Sequence, residues 1–119
     1  MLFRSVLRGC LRYWLDEIRQ TEHFKELWKD GDDYLWAGGS YSHFFMPKEL
    51  KEIVSNNNLK ILECIGLEGL GSGNQKEINK LARHFPRAWK NWLEAHYALC
   101  SHPSVFATSG HMLIIGKKK

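Results

Sequence analysis

The stretch Gly39-Ser40-Tyr41-Ser42-His43-Phe44-Phe45-Met46-Pro47-Lys48-Glu49-Leu50 divides the chain into two parts. It leaves a Gly38-Gly39 pair, crosses an aromatic cluster and enters a helix at Pro47. The paired glycines give the backbone the freedom that a lid or a binding loop uses. Proline suits the first position of a helix, because its missing N–H would be unpaired there anyway. Leu50, Ile53 and Val54 make that helix amphipathic. Asn56-Asn57-Asn58 stops it, since asparagine tolerates the left-handed backbone of a helix end.

Upstream, Leu2–Arg19 reads as a helix, with Phe3, Leu7, Cys10, Leu11, Trp14 and Ile18 recurring at spacings of three and four. Arg4, Arg8 and Arg12 then share its opposite, basic face. A shorter helix, Glu22–Lys29, is capped by Thr21 and ended by the turn Asp30-Gly31-Asp32-Asp33. Downstream, Leu59–Ile65 reads as a strand and Gly66–Gly73 as a glycine-rich loop. Asn74–His84 and Pro86–Cys100 are helices, and His111–Gly116 is a last strand. The run Met112–Ile115 lacks alternation, which predicts burial on both faces and a sheet whose other strands are missing from this chain.

The 119 residues predict one domain, and 44% hydrophobic residues with five tryptophans supply a core, which excludes a disordered chain. The net charge of +4 comes largely from Lys117-Lys118-Lys119, so the body is nearly balanced. No nucleic-acid signature is present, and no apolar run reaches the ~18–20 residues of a membrane span. Asp16 and Glu17 interrupt the basic N-terminal face and argue against a transit peptide or a membrane-surface helix. Cys10, Cys64 and Cys100 are odd in number, far apart and in apolar surroundings, which points to free buried thiols in a reducing, cytoplasmic compartment.

Candidate chemistry is sparse. The loop Gly66–Gly73 follows a strand and precedes a helix, as phosphate-cradling loops do, but no Lys-Ser/Thr pair follows it, so a connector is the expected role. His96, Cys100 and His102 do not have a zinc spacing, and no metal is expected. His43, among aromatics, is the candidate catalytic residue, as base or orienting group. Tyr41, Phe44, Phe45 and Glu68 are the candidate substrate-binding residues.

Three segments together carry a resemblance. They are Tyr41–Leu50, the strand Leu59–Ile65 with Gly66-Leu67-Glu68-Gly69, and His102-Pro103-Ser104-Val105 through Ser109-Gly110-His111-Met112-Leu113-Ile114-Ile115-Gly116-Lys117. In order and spacing, over roughly Tyr34–Lys118, the chain resembles the C-terminal half of class I S-adenosylmethionine-dependent methyltransferases of the small-molecule type. In that family an aromatic stretch leads into a late helix, a strand ending in G-x-E-G follows, then a helical insertion. The last strand enters the sheet antiparallel.

The resemblance implies an α/β fold, α+β as a fragment. It would be mostly helical, with two late strands pairing antiparallel at one edge of a Rossmann-like sheet. Residues 1–119 would form one partial domain, with 2–33 a helical cap-like segment and 34–119 the methyltransferase-like portion. The family's cofactor loop and the acidic residue ending its second strand are absent. S-adenosylmethionine is therefore implied for a complete enzyme, and no cofactor is expected to bind this chain alone. A small-molecule methyl acceptor and a missing N-terminal half are the implied partners. The alternative is a stand-alone helical binding or regulatory module that dimerises through exposed strand edges.

Overall fold

In chain order the elements are β1 (Leu2–Arg4), α1 (Val6–Tyr13), α2 (Phe24–Asp30), β2 (Asp32–Trp36), β3 (Ser40–His43), α3 (Pro47–Asn56), β4 (Leu59–Gly66), α4 (Gln75–His84), α5 (Pro86–Leu99), α6 (Pro103–Thr108) and β5 (His111–Lys118). They come from a computed structural model that describes residues 2–13, 24–36 and 40–119. The fold is α+β. β5 runs through the middle of a three-stranded sheet, antiparallel to β1 on one side and to β4 on the other. Met112 of β5 therefore faces Phe3 of β1 and Gly66 of β4 at the same level.

The two late strands pair antiparallel as expected, but they are not the only strands. The Leu2–Arg19 helix needs correction: its first residues form β1, and the helix begins only at Val6. Ser5 marks the change. Its hydroxyl accepts the Arg8 amide at 3.3 Å, as a cap does, and donates to the Ala107 carbonyl of α6. Arg4 thus lies in β1 and Arg8 in α1, and the two do not share a helical face. Residues 14–19 of that expectation lie outside the described residues. The aromatic stretch Tyr34–Met46 is also more regular than expected, because β2 and β3 pair within it as an antiparallel hairpin.

Burial on β5 alternates, contrary to the expectation of burial on both faces: Met112 and Ile114 are buried, whereas Ile115 is 40% exposed. The reason is one-sided cover. Leu50 and Val54 of α3 and Phe106 of α6 pack on Met112 and Ile114, with Phe3, Phe45, Leu59, Ile61 and Cys64 around them. α3 starts at Pro47 and ends where Asn57 donates from its side chain to the Ile53 carbonyl at 2.7 Å; Asn58 then turns left-handed at φ 59°. The α6 helix reaches β4 because residue 66 has no side chain. A Cβ on Gly66 would stand 2.7 Å from Ser109 Cβ and 3.0 Å from the Val105 carbonyl oxygen.

A second cluster, Val6, Leu27 and Phe44 with Cys10 and Phe24 beside it, joins α1 and α2 to the end of the hairpin. Between β4 and β5 stand α4 and α5, broken at Phe85, whose backbone (φ −134°, ψ 72°) is held out of the helical region that a following proline disfavours. No residue of α4 or α5 is buried, so this helical pair adds little to the core.

Phe106 sits at the centre of the main core and is 1% exposed. Phe106→Ala removes a ring that the neighbouring helices cannot replace and is expected to cost about 3–5 kcal/mol in urea unfolding. A loss below about 1 kcal/mol would contradict this packing.

Candidate functional site

The loop that follows β4 folds back against the start of β5, and one carboxylate holds the two together. Glu68 Oε2 accepts the His111 main-chain amide at 2.7 Å and the Ser109 hydroxyl at 3.1 Å, and Glu68 Oε1 meets His111 Nδ1. Ser109 Oγ in turn accepts the Gly69 amide at 3.1 Å. Ser72 adds a second stitch, donating to the Gly69 carbonyl at 3.0 Å and accepting the Gly110 amide at 2.9 Å. Ser109 is fully buried, and its proton points to a carboxylate rather than to a base, so it is not set up as a nucleophile.

Burial pushes the Glu68 carboxyl up. The His111 ring and amide outweigh that and hold it below the ordinary carboxylate value, so it is ionised. An ionised carboxylate only accepts hydrogen bonds, so His111 Nδ1 carries the proton facing it. In neutral His111 the other nitrogen, Nε2, then has a lone pair, the state a general base needs.

Glu68 and His111 line a cavity of about 530 Å³. Its other walls include Arg4, Arg8, Phe44 and Ser72. The Arg8 guanidinium donates through Nη2 to the Ser72 carbonyl at 2.5 Å, and Arg4 donates to Ser42 Oγ at 3.4 Å. Two arginines thus stand beside one carboxylate whose own charge is already well hydrogen-bonded.

His43 is held differently. Its Nδ1 lies 2.9 Å from Asp32 Oδ1 and its Nε2 3.0 Å from Glu49 Oε1, so the ring clamps the β2–β3 hairpin to the first turn of α3. Burial works against its charge, but the two carboxylates prevail and raise its pKa above the ordinary 6.5. With both nitrogens engaged, His43 orients the segment around it.

The five residues singled out from the sequence do not form one site, although His43 and Phe45 touch edge-on with ring centroids 4.6 Å apart. Phe44 and Glu68 line the cavity. Phe45 stacks edge-on against Phe3, ring centroids 4.9 Å apart, on the main core. His43 lies in the carboxylate clamp. Tyr41 belongs to β3, and its side chain lies outside the described ones. Sequence reasoning missed His111, Arg4 and Arg8. The first was read as a strand start and the others as a helix face, and only the antiparallel pairing of Arg4 with His111 joins them.

Three amides of the glycine-rich loop Gly66–Gly73 are not open to a phosphate. The Gly69, Gly71 and Ser72 amides are already bonded to Ser109 Oγ, the Glu68 carbonyl and the Gly69 carbonyl. His102 caps α6, its Nδ1 accepting the Ser104 amide at 3.2 Å, and among the described residues no group of three metal-binding side chains occurs. No helix among them is long and apolar enough to cross a membrane. Comparison of the chain with protein-family models, with curated proteins and with solved structures gave no match.

Both titrating centres give a measurable pH signature. The lowered Glu68 contributes stability that is present above its unfolded pKa and lost as pH falls through the folded one. Glu68→Gln is expected to lose about 1–2 kcal/mol near neutral pH and to flatten the acid limb of the stability curve. An unchanged acid limb would contradict the network. The raised His43 works in the opposite sense: its stabilisation is full below its unfolded pKa and lost as pH rises through the folded one. His43→Gln should therefore destabilise more at about pH 6 than at about pH 9, read by thermal melting; an equal loss at both would remove the clamp.

Proposed function

We propose that this chain is the acceptor side of a class I S-adenosylmethionine-dependent methyltransferase, its C-terminal portion in a Rossmann-like sheet. The observation that carries the reading is the strand order β1–β5–β4, with the last strand of the chain between the other two and antiparallel to both. That arrangement agrees with the resemblance in Tyr41–Leu50, Leu59–Gly69 and His102–Lys117, where the final strand enters the sheet antiparallel. Two further features support it. The aromatic segment leads straight into α3, and the helical pair α4–α5 fills the interval between β4 and β5.

On this reading the methyl donor is held by a partner half. What supports this is that the loop amides of residues 69, 71 and 72 are taken up within the fold. What this chain supplies is the other side of the reaction. The cavity beside Glu68 receives the methyl acceptor and keeps water from it. His111 Nε2, its Nδ1 proton fixed on Glu68, takes the proton that an O–H or N–H acceptor loses as it is methylated. Glu68 is a positioning residue: it sets the tautomer and orientation of the base. His43 orients the hairpin and α3.

The self-association reading keeps one supporting observation. β4 is an eight-residue strand at the end of the sheet order, and Leu62 on it is 57% exposed. An open edge of this kind pairs with a missing half or with a second copy.

Calorimetric titration with S-adenosylhomocysteine tests the proposal. The folded chain alone is expected to give no binding heat, and a fusion to the translated sequence upstream of Met1 is expected to bind saturably. Tight binding by the chain alone, or none by a folded fusion, would overturn it.

A further inference from the structure

The cavity beside Glu68 has a charge pattern that neither the fold nor the methyl-transfer chemistry requires. Arg8 lines it with a guanidinium fixed in position. One prong is held by the Ser72 carbonyl at 2.5 Å, and the group lies directly on Gly73, where a Cβ would stand 1.9 Å from Arg8 Nη2. Gly73 also has φ 84°, so the backbone calls for glycine there, and a side chain at 73 would push the Arg8 tip out of its present place. Among the described residues no carboxylate is paired with Arg8; its recorded side-chain partner is the neutral Ser72 carbonyl. A half-buried guanidinium that is immobilised but not neutralised is the arrangement that receives a carboxylate through parallel N–H···O bonds.

The other charged walls favour the same ligand. Arg4 adds a second positive charge, standing 6.0 Å above the Phe44 ring. Glu68 opposes an anion, but its oxygens are engaged by His111 and Ser109. A monoanion can tolerate that carboxylate, whereas a dianionic phosphate meets stronger repulsion. Phe44 supplies an apolar surface for the rest of the molecule.

We infer that the cavity binds a carboxylate-bearing small molecule, with Arg8 as its anchoring side chain and Gly73 as the residue that makes room for the guanidinium. The site rests on the cavity alone. It names the class of methyl acceptor where the acceptor-side reading above also holds.

Amide NMR titration of the chain with benzoate, benzamide and inorganic phosphate tests this without any cofactor, so its failure leaves the methyltransferase reading where it stood. Benzoate is expected to shift the Ser72, Gly73 and Gly110 amides saturably, and benzamide, of the same shape without the charge, is expected not to. Arg8→Gln should weaken benzoate binding at least about tenfold, the loss of one charged hydrogen-bonded contact. Should that variant fail to fold, Arg8→Lys, which keeps the charge and loses the fork, should still bind more weakly than the wild type. Equal response to benzamide, tighter binding of phosphate, or wild-type affinity in the Arg8 variants would overturn the inference.

Discussion

The Glu68 carboxylate is the interaction on which the rest of this structure depends. It sits on the loop leaving β4 and bonds to the residues that open β5, 41 and 43 positions further along the chain. Between those points lie α4, α5 and α6, and the carboxylate closes this excursion just beyond the β4–β5 ladder, where the Leu67 amide also donates to the His111 carbonyl at 3.1 Å. No residue of α4 or α5 is fully buried, so the pair adds little to the core that holds the ends together. Beside the apolar contacts of Phe106 the closure has a polar part, in which Glu68, Ser109, His111 and Ser72 satisfy one another and the amides around them. A network satisfied in this way rigidifies a site, and the loss of one member leaves the others with unpaired buried groups.

The same closure sets the functional geometry. β5 enters the middle of the sheet at His111, opposite Arg4 of β1, so the chain's first strand and its last meet at the cavity. Ser5 then turns β1 into α1 and directs Arg8 back over the loop at Ser72 and Gly73. An imidazole held by a carboxylate and a guanidinium held by a main-chain carbonyl therefore share one cavity through pairing between the first and last strands. His43 does for the hairpin and α3 what Glu68 does for β4 and β5, with an imidazole between two carboxylates in place of a carboxylate between an imidazole and a hydroxyl.

Much of the architecture was legible in the sequence where local signals were strong. Pro47 and the Asn56-Asn57-Asn58 run bound α3, Pro86 opens α5, and the strands at Leu59 and His111 stand close to where their apolar runs begin. The N-terminus was not legible, because Phe3, Leu7, Cys10 and Leu11 have helical spacing, while the pairing of Phe3 with Met112 is long-range. Ser5 was the one local signal of the change, a capping residue in an otherwise helical pattern. The hairpin was hidden by aromatic and glycine content that reads as loop. Of the site, Glu68 and Phe44 were found because they lie beside recognisable punctuation. His111 and Arg8 gain their meaning only from partners more than 40 residues away, which periodicity does not report.

The central proposal is that Glu68 fixes the His111 ring with its proton on Nδ1 and leaves Nε2 free to act as a base. Long-range proton–nitrogen correlation NMR of the imidazole, recorded where His111 is neutral, tests it most directly. The account predicts a protonated Nδ1 and a pyridine-like Nε2, with that preference lost in Glu68→Gln. A ring protonated on Nε2, or a tautomer indifferent to Glu68, would contradict it.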